Sequence, residues 1–159
     1  MTITRTHRYR FSASHRLHSP QLSPAENKQL YGKCNNPHGH GHDYILEVTV
    51  AGEADPVTGL ILPVAAINRL VEERVLQVFA SRSINLDVPQ FQKLTATTEN
   101  VALVIADLLR NHWREYLGKT DARLSRVHIQ ETERNGFEVL LGPTAAFDPH
   151  PLETESVNA

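Results

Sequence analysis

The sequence predicts an α+β domain with an antiparallel sheet, its elements running strand, strand, helix, helix, strand, strand, and three observations carry that expectation. Two N-terminal stretches alternate apolar and polar residues with the two-residue period of a half-buried strand. Two central stretches place apolar residues at helical spacing. A C-terminal pair of short apolar runs is split by a turn.

The first strand is read from His7 to His15, where the odd positions are His, Tyr, Phe, Ala and His and the even ones Arg, Arg, Ser and Ser. His15 closes the apolar face. The following stretch, "RLHSPQLSPAENKQLYGKCNNP", is rich in Pro, Ser, Asn and Gly and long for a connection, so it is expected to be a functional loop. The second strand carries His42, Tyr44, Leu46, Val48 and Val50 on one parity, with Asp43, Glu47 and Thr49 on the other, before "GEADPVTG" turns the chain. The first helix is expected between Ile67 and Phe79, burying Ile67, Leu70, Val71, Val75, Val78 and Phe79 and exposing Glu72, Glu73 and Arg74. The second lies in "TTENVALVIADLLRNHWREYL", N-capped by Thr97 or Thr98, with Glu99 in its first turn and Gly118 as its stop. "RVHIQETE" and "FEVLLG" form a hairpin about Arg134-Asn135-Gly136, and residues 143–159 read as a poorly ordered arm.

A chain of 159 residues is one ordinary domain, expected over residues 1–142, and can bury a core without disulfides. Its 40% apolar and 21% charged residues are those of a soluble protein, and no apolar run reaches the length of a membrane span. A formal charge of -2, with Lys and Arg dispersed, argues against nucleic acid as a partner. One cysteine excludes an internal disulfide and the first residues lack an apolar signal core, so a cytoplasmic location is expected.

The chemistry concentrates in "CNNPHGHGHDY". His40 and His42, two apart on an extended segment, project to one face, and His15 is the natural third ligand if the two strands pair. Three neutral imidazoles with one open corner are the pattern of catalytic zinc. Cys34 stands equally as a fourth ligand closing a structural site, a packed thiol, or a catalytic thiol. His38 shares the parity of His40 and is a further candidate ligand, although Pro37 favours a turn there. His7, His18, His112, His128 and His150 are read as surface or partly buried histidines without chemistry. Glu131 continues the apolar parity of Val127 and Ile129. It either points inward, where a ligand with paired N–H groups would offset its desolvation, or sits exposed on a frayed end.

In their order, "FSASHRL", "GKCNNPHGHGHDY", "GEADPVTG", "LDVPQF", "TTENVA" and "QET" resemble the family of the 6-pyruvoyltetrahydropterin and 6-carboxytetrahydropterin synthases, over roughly Arg5 to Gly142. The loop "CNNPHGHGH" is more similar to that of the pyruvoyl enzymes. The resemblance implies the tunnelling fold: a four-stranded antiparallel sheet with two helices on one face, three subunits closing a barrel and two trimers stacking into a homohexamer. It implies zinc on His15, His40 and His42, Cys34 as the proton-abstracting thiolate, Glu131 gripping the amino-pyrimidine edge of a pterin, and Thr97 and Thr98 in the pterin pocket. The implied reaction converts 7,8-dihydroneopterin triphosphate to 6-pyruvoyltetrahydropterin with loss of triphosphate. The alternatives are 6-carboxytetrahydropterin synthase-type activity and a pterin-binding homologue with weak or no turnover. That last alternative arises because family members carry an Asp-His pair just before the segment matching "LDVPQF", where this sequence has Ala80-Ser81, or Arg82-Ser83 with a gap. An ordinary thiol, with a pKa of about 8.5, is only a few per cent ionised at neutral pH, so His38 or Arg82 is expected to substitute in part. Arg16 and Lys33 stand as phosphate contacts or as solvated surface charge.

Overall fold

The computed structural model describes residues 1–142, so the expected C-terminal arm and His150 lie outside the described residues. Strand β1 (Ile3–His15) pairs antiparallel with β2 (His40–Gly52) along its whole length, from Ile3 opposite Gly52 to His15 opposite His40. The alternation read from His7 is the part of β1 that faces the core; the exposed residues before it extend the same ladder. Two further antiparallel strands complete this side, β4 (Arg123–Gln130) on β2 and β5 (Gly136–Leu140) on β4. With a two-residue strand β3 (Arg82–Ser83) on the outer side of β1, the sheet order is β3-β1-β2-β4-β5.

Strand β3 (Arg82–Ser83) corrects the expectation of a four-stranded, wholly antiparallel sheet: it runs parallel to β1, opposite Ala13 and Ser14, making a mixed sheet of five strands. Two residues carry no period, so pattern reading has nothing to find. What creates the strand is backbone geometry. Ser81 adopts φ 59°, in the left-handed region, and its N–H donates to the Ser12 carbonyl at 2.7 Å, which swings the next two residues alongside β1.

The long connection after β1 is also more ordered than a loop. It contains helix α1 (Pro24–Tyr31), started by Ser23, whose hydroxyl accepts the Glu26 N–H while Glu26 returns a carboxylate oxygen to the Ser23 N–H. Its one buried residue is Asn27, whose amide donates to the carbonyls of Ser19, Leu22 and Ser23 and accepts the Ser19 N–H. A polar side chain holds this element where an apolar stripe would normally do so.

Helix α2 (Val64–Val71) passes through a π-helical turn (Glu72–Leu76) into α3 (Gln77–Phe79). The wider turn compensates the drift of a 3.6-residue period and lets Val71, Val75 and Phe79, spaced by four, all reach full burial. A short helix α4 (Ile84–Asp87) leads to α5 (Thr98–Leu117), capped by Thr97 and stopped at Gly118 as expected. Ile67, Leu70, Val101, Ile105 and Leu109 from these helices pack on Phe11, Tyr44, Leu46, Val48, Val127 and Ile129 of the sheet. The opposite sheet face is polar, with Arg8 on Glu47, Arg126 on Glu47 and Glu138, and Ser12 on Asp43. No described helix is long and apolar enough to cross a membrane.

Candidate metal centre

Because β1 and β2 pair His15 with His40 and the pleat returns His42 to the same face, the three imidazoles converge at the end of the sheet. One nitrogen from each lies within 4.8 Å of the others, and His15 Nε2 is 3.2 Å from His40 Nε2. The rings meet edge to face, with centroids 4.7 to 5.1 Å apart. His15 is fully buried, and its Nδ1 lies 2.8 Å from the Ala96 carbonyl. A carbonyl only accepts, so Nδ1 carries the proton and Nε2 turns its lone pair toward the other rings. Burial pushes the pKa of His15 down, with the neighbouring imidazoles adding to the effect against the Ala96 carbonyl and the Glu131 charge; burial and then His42 push His40 down too. His42 Nε2 is buried with no hydrogen-bond partner. Neutral imidazoles, one orphaned nitrogen and one backbone-fixed tautomer suit a divalent ion of zinc's preference.

Gly39 makes the approach to His40 possible. It has φ 66°, and a Cβ there would stand 2.7 Å from the His15 carbonyl oxygen, so no other residue lets the loop cross the end of β1 this closely.

Glu131 points inward from the end of β4. Its Oε1 lies 3.5 Å from His15 Nε2 and 3.6 Å from His42 Nε2 and accepts the Thr98 hydroxyl at 2.5 Å; Asn135 Nδ2 reaches Oε2 at 3.4 Å. Thr98 is the first residue of α5, so the helix start and the hairpin are joined at the carboxylate. Thr97 is engaged otherwise: its hydroxyl accepts the Asn100 N–H as the helix cap. Tyr44, two residues beyond His42, has a fully buried hydroxyl that faces Thr98 and Glu131 without completing a hydrogen bond, and burial drives its pKa upward. Nothing in the alternation of β2 distinguished Tyr44 from a core aromatic, and the Ala96 carbonyl, being backbone, left no residue signal at all.

The other expected residues do not join the cluster. Cys34, half-buried in a 3-10 turn (Gly32–Asn35), is outside the histidine group, so the closed His3Cys site is not what the fold builds. His38 is exposed in a turn where its N–H donates to Asn36 Oδ1, and it is not a ligand either. Arg82 is exposed at a groove of about 390 Å³ formed by residues 12–14, 41–43 and 81–83. Ala80 and Ser81, just before β3, bring no titratable side chain. Of the remaining histidines, His7 is buried rather than superficial.

An α+β sheet that ends in three convergent imidazoles and a tethered carboxylate defines a domain whose histidine cluster could hold a metal ion. The sequence profile described as "PTPS: 6-pyruvoyl tetrahydropterin synthase" matches residues 2–140, and the chain belongs to that family. The 6-pyruvoyl tetrahydrobiopterin synthase of Homo sapiens is 49% identical over 128 residues, covering 80% of this chain and 84% of the relative. That of Poecilia reticulata is 43% identical over 126 residues, covering 79% and 81%. Among solved structures, the 6-pyruvoyl tetrahydropterin synthase of Caenorhabditis elegans superposes with a TM-score of 0.81 at 36% identity, covering 89% of this chain and 97% of that one.

Proposed function

We propose that the protein is a zinc-dependent lyase that converts 7,8-dihydroneopterin triphosphate to 6-pyruvoyltetrahydropterin and releases triphosphate. The observation that carries this reading is the placement of the Glu131 carboxylate beside three convergent imidazoles, in a chain of this family. His15, His40 and His42 would hold the ion, which when bound supplies Lewis acidity toward the side-chain hydroxyls of the substrate. Glu131 receives the paired N–H groups of the amino-pyrimidine edge, and the Thr98 hydroxyl keeps one of its oxygens aimed inward while it does so. Cys34, free of the histidine group, takes a proton from the substrate side chain as triphosphate departs. Oxidation of the side chain is balanced by reduction of the ring, so the reaction needs no redox cofactor.

A second reading has its own observation. Ala80 and Ser81 offer no acid or base at the position of the Asp-His pair, which favours a protein that binds the pterin and turns it over slowly, or that releases a carboxy product instead. Incubating zinc-loaded protein with dihydroneopterin triphosphate separates these. Triphosphate with a pyruvoyl product supports the lyase, triphosphate with acetaldehyde and a carboxy product supports the carboxy-synthase reading, and tight binding without conversion supports the slow binder. Dialysis against a chelator is expected to abolish turnover and lower Tm while leaving the circular dichroism of the fold in place, because the core is built without the ion.

A further inference from the structure

Cys34 sits in a four-residue turn with no sheet ladder of its own, yet it has to stand in a fixed relation to histidines that a thirteen-residue ladder holds. The bonds that relate the two begin one residue after His15. Asn85, in α4, accepts the Arg16 N–H at 2.7 Å and donates Nδ2 to the Arg16 carbonyl at 2.9 Å, so a single carboxamide satisfies both main-chain groups of that residue. From the other side the Leu17 N–H donates to the Cys34 carbonyl at 2.9 Å. Asn35 Nδ2 donates to the Leu17 carbonyl at 2.7 Å and to His18 Nδ1 at 3.1 Å. Arg16 Nε closes the bracket on the Asn35 carbonyl at 3.1 Å.

We infer that Asn85 is a positioning residue for Cys34: by fixing the backbone of Arg16 it fixes Leu17, and through the Leu17–Cys34 bond it sets where the thiol stands relative to the histidine cluster. Along Arg16 and Leu17 the supports are the Asn85 carboxamide and the Cys34–Asn35 turn, while the Asn27 carboxamide clamps Ser19 further on, so removing the first leaves Leu17 and the turn free to shift together. The histidines are insulated from that shift, because His15 and His40 face each other in the β1–β2 ladder. A reacting group displaced by about 1 Å can lose about a hundredfold in rate, so such a shift registers in turnover while substrate binding at Glu131 persists. The assignment rests on the proposed lyase reading only for the role of Cys34 as the base; the bracket is independent of it.

The test uses the zinc-loaded full chain with Asn85→Ala, Asn85→Asp, and Tyr9→Phe, which deletes a single side-chain hydrogen bond to Asn68 elsewhere. Four quantities are read: exchange of the Leu17 amide, alkylation of Cys34 by iodoacetamide at one pH, kcat and KM on dihydroneopterin triphosphate, and zinc per chain. Cys34 is the only cysteine, so alkylation reports it alone. Asn85→Ala is expected to exchange Leu17 and alkylate Cys34 several-fold faster and to lose about ten- to a hundredfold in kcat with KM nearly unchanged and zinc retained. Asn85→Asp keeps the acceptor for the Arg16 N–H and falls between; Tyr9→Phe matches the parent protein in all four. Should Asn85→Ala not fold, Asn85→Asp decides. Wild-type exchange and alkylation in the folded variant, or a loss of zinc in step with every other readout, overturns the assignment. A parent protein that converts no pterin defeats the lyase reading instead, and leaves exchange and alkylation to decide this one.

Discussion

His15 is held at both ring nitrogens, one by the Ala96 carbonyl and one by the cluster it serves, and that double constraint makes it the least replaceable of the three imidazoles. His15→Ala is expected to leave zinc sub-stoichiometric by elemental analysis, and turnover below detection; a full complement of zinc in that variant would sink the site as described. Glu131→Gln tests the carboxylate separately. The amide keeps the shape but loses the charge that strengthens its hydrogen bonds by about 1.5–3 kcal/mol, so pterin affinity should fall about ten- to a hundredfold by titration calorimetry with zinc content unchanged. Its parity with Val127 and Ile129 left Glu131 either inward or exposed on a frayed end, and the structure turns it inward one residue past the end of β4. The sequence could not show why the carboxylate is tolerated there: the Thr98 hydroxyl comes from a helix 33 positions away in sequence, a pairing that only the fold creates.

At the scale of elements, legibility followed burial. Strands β1 and β2 and helix α5 bury one apolar face or stripe, and each was readable from its period; α1 buries only Asn27, and β3 is two residues long, so neither carried a pattern. The one signal for α1 was the Ser23-Pro-Ala-Glu26 capping box, which is local and independent of any core. Gly39 is an element-scale constraint of a different sort, since it governs how the loop enters β2. Gly39→Ala puts a Cβ into the His15 carbonyl and demands a left-handed alanine at a cost of at least about 1–2 kcal/mol, so Tm should fall and zinc affinity with it. His7, on the core face of β1, adds a pH dependence. Burial, and then the Arg5 charge, hold its pKa below the ordinary 6.5. Between that value and the lower folded one, the unfolded chain binds a proton that the folded chain refuses. The stability conferred by a neutral His7 is therefore complete above about pH 6.5 and is lost progressively as the pH falls from there through the lower folded pKa. His7→Phe should flatten the Tm profile between about pH 7 and 5, and an unaltered profile would show that His7 is not its source.

For the whole molecule, the strand edges argue for assembly. The outer edge of β1 is paired only at Ala13 and Ser14, so the N-terminal part of a thirteen-residue strand presents unpaired backbone to its surroundings, and β5 closes the other side of the sheet without a further partner among the described residues. Long unpaired edges are a hazard that soluble proteins cover, and a second copy covers one by pairing edge to edge. The polar face between those edges, ordered by Arg8, Glu47, Arg126 and Glu138, suits the water-lined interior of a closed ring better than a packed interface. The edges call only for a partner copy; we propose that it is supplied in the homohexamer of two stacked trimers that the family resemblance implies, with a native mass by light scattering six times that of the chain. Backbone amides of β1 that point away from β2 should exchange slowly at concentrations where the assembly persists and quickly on dilution below it. A monomer at all concentrations, with those amides always fast, would remove the ring and require the site to work within one chain.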